Sequence, residues 1–407
     1  MSQGLRILGV GRVGPVVAAG LIAAVACAGC GNPQVPSAIG SKTGQSSSSV
    51  SLTSATQSRS SATSGAVRNI LARMTRVYIG VDGTGWGFVG DTLWVTTNNG
   101  AAWMNVTPLN LPSGTAMSSA FFVNARTGWV SYTEGIGSGT NCGVLRTTNG
   151  GHTWAATKVG VSGSTVFTSG YLDFVNSSDG WLTAVVSGAM GADQSVLYHT
   201  SDGGAEWADI SVTSGLPSGG LGTENGVVFL NGTDGWWVGG TLFKGPIGLY
   251  HSTDGGKTWA FQELPTPSGL SLTQVENNGV QVNAPRFFGD GDGVLTLTTA
   301  TGVAIYSTTN GGATWDATIT LPGESNAPQF VSLSTAWRVD TSGAGVQITH
   351  DGGKTWSAIE MPAGYSGGEF YMQGVQAAVI LGEGNTLWRT ADGGKTWTAI
   401  TAIVREP

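Results

Sequence analysis

The groups able to ligate, attack or exchange protons are few: four His, three Cys and 25 carboxylates in 407 residues. The acids fall into a pattern. Asp202, Asp254, Asp351 and Asp392 each stand two residues after a Ser or Thr and five before a Trp, and Asn98, Asn149 and Asn310 hold the same place in three further copies. A ring of seven carboxylates would suit proton transfer or cation binding. Asn at three of the seven places points instead to a turn role, because Asp and Asn both accept backbone hydrogen bonds in tight turns and only Asp can donate a proton in catalysis.

The other reactive groups are absorbed in the same way. His152 and His350 lie inside copies of the pattern; His199 and His251 stand immediately before its Ser or Thr, a slot that Arg146 and Arg389 fill elsewhere. No His is left over for a triad or a zinc site. Asp290-Gly291-Asp292-Gly293 invites a calcium reading, but hard cations need several converging oxygens, and Asp292-Gly293-Val294 matches the repeat elements Asp179-Gly180-Trp181 and Asp234-Gly235-Trp236. Neither a metal nor a cofactor is expected. Cys142 is read as a small core residue.

Carboxylates outside the pattern remain. The long Gly-, Ser- and Pro-rich segments such as Thr133 to Asn141, Ser187 to Gln194, Thr213 to Asn225 and Leu264 to Gly279 carry Glu134, Asp193, Glu224 and Glu276. A glycosidase needs two carboxyl groups roughly 5–10 Å apart, so these four are the candidate catalytic pairs if the chain is an enzyme.

What must position all of these is a repeat. The box Ser/Thr-x-Asp/Asn-x-Gly-x-x-Trp occurs seven times, ending at Trp103, Trp154, Trp207, Trp259, Trp315, Trp356 and Trp397, with successive spacings of 51, 53, 52, 56, 41 and 41 residues. Asp-Gly and Asn-Gly suit hairpin turns needing positive φ, and the Trp can bury about 200 Å2 against neighbouring strands. Each unit also has a second strand opening on Gly85-Trp86, Gly128-Trp129, Gly180-Trp181, Gly235-Trp236, Gly293-Val294, Ala336-Trp337 or, weakly, Ala377-Ala378. Four short strands per 40–55 residues is the signature of propeller blades. The expected fold is all-β: a seven-bladed β-propeller of four-stranded antiparallel blades over residues 67–407, with the last blade supplying its own fourth strand within Thr398 to Val404. Ring closure is then expected to rest on contact between the first and last blades, helped by residues 67–75.

With the boxes laid out, the chain resembles the Asp-box, or bacterial neuraminidase repeat, proteins. Gly-Trp on the second strand together with Tyr250-x-Ser252-x-Asp254-Gly-Gly-Lys-Thr-Trp259 and its copies more closely resembles the photosystem II stability and assembly factor-like propellers. The resemblance implies a scaffold that binds another protein. It also leaves open the carbohydrate-active enzymes and glycan-binding modules of Asp-box type. A sialidase would need an arginine cluster and an early Arg-Ile-Pro motif, which is absent; the photosynthetic assembly factors carry an arginine-rich patch, whereas the 12 Arg here are scattered.

The N-terminus reads as an address. Arg6 and Arg12 precede an apolar run from Val16 to Ala26, then Cys27-Ala28-Gly29-Cys30. This looks like a bacterial lipoprotein signal over 1–29 with Cys30 lipidated, Cys27 being the alternative. Residues 30–66 are Ser- and Thr-rich with almost no large apolar side chain, the composition of a flexible tether. Net charge is −7 with only 11% charged residues, which argues against a nucleic-acid partner. Together these give the expectation of a lipid-anchored extracytoplasmic propeller that binds an envelope protein without catalysing a reaction.

Overall fold

A computed structural model describes residues 50–52 and 74–405, apart from 81, 110, 112–113, 135–140, 161–166, 187–193, 211–226, 240–247, 269–280, 290, 300, 324–326, 341–344, 364, 366–369, 373, 382–386 and 401–402. Its strands form seven sheets, antiparallel apart from one parallel pairing in blade one, arranged in chain order as the blades of a seven-bladed β-propeller. Blade two is representative: Ala116–Phe122, Gly128–Glu134, Asn141–Thr147 and Trp154–Val159 pair in sequence order, so each strand neighbours the one before it. The second strands are the most buried; Gly180–Val186 is buried at every position because blades cover it on both faces.

The boxes hold the third strand to the fourth. In blade four, the Ser252 hydroxyl accepts from Gly256 N at 2.8 Å and donates to Asp254 Oδ1 at 2.9 Å. Asp254 in turn accepts from Thr258 N at 2.8 Å and from the Thr258 hydroxyl at 2.7 Å. The Asn boxes keep this geometry: Asn310 Oδ1 accepts from Thr314 N, and its Nδ2 donates to the Thr314 hydroxyl at 2.9 Å. Two consecutive positive-φ glycines, Gly255 and Gly256, close the turn.

Blades two, three and four are joined by an aromatic stack. The last residue of a first strand faces the Gly that opens the second: Phe174 pairs with Gly180 and Phe229 with Gly235. A Cβ on Gly180 would lie 2.2 Å from the Phe174 ring, so the Gly is what lets the ring lie flat over its own sheet. The exposed face of that ring then stacks on the second-strand Trp of the preceding blade. Trp129 lies 3.6 Å from Phe174 at 10°, and Trp181 lies 3.5 Å from Phe229 at 7°. The box Trp completes the unit edge-on, as Trp207 does against Phe174.

Two elements depart from the sequence reading. The fourth strand of blade seven is Thr398–Ile400 only; Ile403–Arg405 crosses to blade one and pairs in parallel with Ala102–Met104. The run from Thr398 to Val404 is therefore two strands, and the ring is closed by the C-terminal segment lying on the outer strand of blade one. Met74, within the stretch expected to help closure, opens blade one's own inner strand, Met74–Ile79. The second departure is in blade seven, where the residue facing Thr390 is Ala378. Ala378-Val379, not Ala377-Ala378, is thus the equivalent of Gly-Trp, and Val379 occupies the Trp slot. Val50–Leu52, from the segment read as a tether, pairs antiparallel with Trp154–Ala156 on the edge of blade two.

Candidate functional site

Most of the side chains that could do chemistry are built into the joints between blades. The Trp129 indole donates to the carbonyl of Gly203 in the next blade's box at 2.7 Å, and Trp181 does the same to Gly255 at 3.0 Å. Blade four uses a relay: Trp236 donates to Gln262 Oε1 at 3.2 Å, and Gln262 Nε2 donates to Gly312 O at 2.7 Å. In blades two, three and four the second strand thereby contacts the box of the next blade, and its Trp, which looks like ordinary core in the sequence, latches the two blades.

Histidines sit on these latches. His251 stacks on Trp236 at 4.6 Å and 8°, with Nε2 3.6 Å from Asp234 Oδ1. His199 lies 4.9 Å from Trp181 and 4.0 Å from Asp179 Oδ1. Burial lowers both imidazole pKa values and outweighs the opposing pull of the two aspartates. Both are neutral imidazoles on indoles. His152 and His350 are exposed in their boxes.

Glu134 ends the second strand of blade two and is held by Lys158 at 3.1 Å. Asp193, Glu224 and Glu276 lie outside the described residues, as do Cys27 and Cys30. Cys142 is buried, and burial pushes its thiol up to about 12, which removes it as a nucleophile at neutral pH. Among the described residues no group of three or more His, Cys, Asp or Glu converges as a metal site. Asp292 N donates to Gly289 O within the turn between the first two strands of blade five. Arg286 and Tyr78, on the inner strands of blades five and one, interact across the axis; burial lowers the Arg286 pKa to about 10 and raises that of Tyr78 to about 12. Arg338 donates to Gln347 Oε1 at 2.9 Å and lies 4.3 Å over the Trp356 ring.

The seam between blades seven and one is built differently from the joints between blades two, three and four. Val379 supplies no indole, and the joint is filled by Ile79, Trp103, Leu387 and Val379. Beside it lies a cleft of ≈ 340 Å3 lined by Asn98, Asn99 and Ala101 of box one, Arg389, Ala391, Asp392 and Thr396 of blade seven, and Thr398 and Ile400 of its outer strand. The cleft is lined by the boxes of blades one and seven and by the outer strand of blade seven. Its signals were in the sequence: Asn99 where six boxes have Gly, Ala102 where five have Thr, and Ala378-Val379 in place of Gly-Trp.

Residues 250–261 and 347–358 match the BNR/Asp-box repeat. This is a propeller with BNR/Asp-box repeats. No curated protein matches the chain. Among solved structures, this Asp-box propeller is similar to YCF48 from Cyanidioschyzon merolae, with 17% identity, TM-score 0.47, 72% of this chain and 86% of that one covered. YCF48 bound to D1 peptide gives 18% identity and TM-score 0.42 over 71% and 83% of the two chains. A polysaccharide lyase of the ulvan lyase family gives 13% and 0.44 over 69% and 81%. At these identities the likeness concerns the fold.

Proposed function

We propose that this Asp-box propeller is a non-enzymatic binding platform for another envelope protein, held outside the cytoplasmic membrane by a lipid on Cys30, or on Cys27 if cleavage falls earlier. The observation that supports the reading is the commitment of reactive groups to structure. His199 and His251 pack on latch indoles, box acids accept hydrogen bonds within their own turns, and Glu134 pairs with Lys158. A ring in which these described groups serve structural contacts suits recognition better than proton transfer. The N-terminal Arg6, Arg12 and Cys30 arrangement and the Ser-rich segment behind it support a tether to the membrane.

The test is crosslinking of the full-length chain in its own membranes, followed by identification of covalent partners. A defined polypeptide partner is the expected result. Cleavage of a polysaccharide by the purified chain, lost on changing Glu134, Asp193, Glu224 or Glu276 to the amide, would overturn the reading in favour of a carbohydrate-active enzyme. Anchoring is tested separately: Cys30→Ser should release the protein from membranes, and retention by both Cys30→Ser and Cys27→Ser would contradict the lipid anchor.

A further inference from the structure

We infer that the outer edge of blade two is a docking site for the chain's own N-terminal segment, so that the ring is held by its rim, at blade two, with both faces left open to a partner. The docking stands on the strand pairing. Its consequence at the membrane rests on the platform reading.

The segment carries its own signal. Between Gly40 and Ala66 the chain is Ser, Thr, Gly, Gln and Ala with one Lys and one Arg, and Val50 and Leu52 are the only large apolar residues in it. They stand two apart, which is the strand period. Val50–Leu52 forms a strand antiparallel to Trp154–Ala156, the start of blade two's outer strand. Val50 is paired with Ala156 and Leu52 with Trp154, both buried, while Ser51 is paired with Ala155, which is exposed. Directly opposite residues share a face of the sheet. The apolar–polar alternation of the segment thus matches the buried–exposed alternation of the strand that receives it. A slip of one residue would bring Ser51 opposite a buried position.

The receiving edge is set apart from the others. Among the described residues, blades three to seven end at their fourth strand, and the edge of blade one is taken by Ile403–Arg405. Ala358 and Ala399 stand two residues after their box Trp, as Ala156 does, and are exposed where Ala156 is only 9% exposed. The same position holds Asp209 in blade three and Phe261 in blade four, a charge and a bulky ring. Blade two's outer strand, Trp154–Val159, is buried at four of its six positions; the outer strands of blades three, four, six and seven are buried at none. An unpaired edge also offers its N–H and C=O groups to unwanted strands. The two ends of the described chain therefore close the edges of two adjacent blades.

The docking point sets where the chain leaves the ring. Val50 lies 20 positions after Cys30, and Met74, which opens blade one, lies 44 after it. At about 3.5 Å per residue at most, a lipid on Cys30 is within about 70 Å of the rim of blade two, against about 150 Å from blade one with the segment undocked. The shorter leash makes blade two the side of the ring nearest the membrane.

The experiment uses the full-length chain in its membranes. Ser51→Cys with Ala155→Cys places two thiols at directly opposed positions, a separation that a disulfide spans. Cys142 is buried and stays out of the exchange. Mild oxidation should join positions 51 and 155 within one chain. Ser51→Cys with Ala208→Cys, the same slot in blade three, should stay open. Adding Val50→Asp and Leu52→Asp should cut the yield about fivefold or more, because Asp is disfavoured in strands. A dye on His152→Cys, in box two, should transfer energy to a headgroup acceptor about twice as efficiently or more than one on Lys354→Cys, the equivalent place in box six, and the Asp pair should remove the difference. No disulfide between 51 and 155, or an equal yield at 208, would overturn the docking. A disulfide joining two chains would overturn it as well, by giving the edge to the segment of a second copy. Equal transfer from both dyes with the disulfide intact would overturn the rim-held orientation. In Cys30→Ser the disulfide should form as before, which separates docking from anchoring. Failure of the disulfide with a protein still crosslinked in membranes would remove the docking and leave the platform reading standing.

Discussion

The Trp181 indole nitrogen donates to the Gly255 carbonyl 3.0 Å away, across the joint between blades three and four. Trp181 lies on a second strand and Gly255 in the turn of the following box, 74 residues later. The same ring stacks on Phe229. One side chain thus fixes the rotation and the spacing of two blades. Trp181→Phe keeps the stack and removes the donor, leaving a buried carbonyl without its partner, which costs about 1–3 kcal/mol. Chemical unfolding should show that loss. Stability unchanged within error would mean that the hydrogen bond carries no weight in the joint.

Asp392 tests the box as a titrating turn. Hydrogen bonds from the Thr396 hydroxyl, the Thr396 N–H and the Thr390 hydroxyl lower its pKa from 3.8 to about 2. A depressed folded value means its contribution is complete above the unfolded value and is lost as pH falls through the folded one. Melting temperature should therefore fall between about pH 4 and pH 2. Asp392→Asn should flatten that fall, since Asn serves in boxes one, two and five. An identical pH profile in the variant would assign the acid sensitivity to other groups.

His251 works in the opposite range. Its folded pKa is lowered from 6.5, by burial first, with Asp234 opposing. The unfolded chain then binds the proton more readily, so stability drops as pH falls from 6.5 towards the folded value. Substituting His251→Gln should reduce the slope of stability against pH between pH 7 and 5. A steeper slope would show that Asp234, not burial, dominates the imidazole.

Much of this was legible before the structure. Seven boxes at near-regular spacing make seven blades, and Asn replacing Asp at positions 98, 149 and 310 marks a turn role. The joints were not legible. Nothing local to Trp181 says that its partner is Gly255, because the contact depends on how far one blade is turned against the next. The C-terminal crossing was hidden for a similar reason: Thr398 to Val404 is a continuous β-forming run, and only the position of blade one divides it into Thr398–Ile400 and Ile403–Arg405. The seam cleft arises from small departures, at Asn99, Ala102 and Val379, that gain meaning once the neighbouring blades show what those positions normally hold.

Closure itself can be cut. Removing residues 401–407 deletes the strand that pairs with Ala102–Met104, and blade one then has an open outer edge next to the seam. Hydrogen exchange at Trp103 and Met104 should rise, with blades three and four little changed, since opening is local when few contacts cross a boundary. Uniform loss of protection around the ring would show that closure is a global requirement.

The most direct measurement places a photo-reactive benzophenone side chain at Ala391, on the rim of the seam cleft, in the full-length chain in its membrane. The expected outcome is a polypeptide adduct of defined mass. Adducts that carry only carbohydrate, or no adduct at all, would contradict a protein-binding platform that uses this face of the ring.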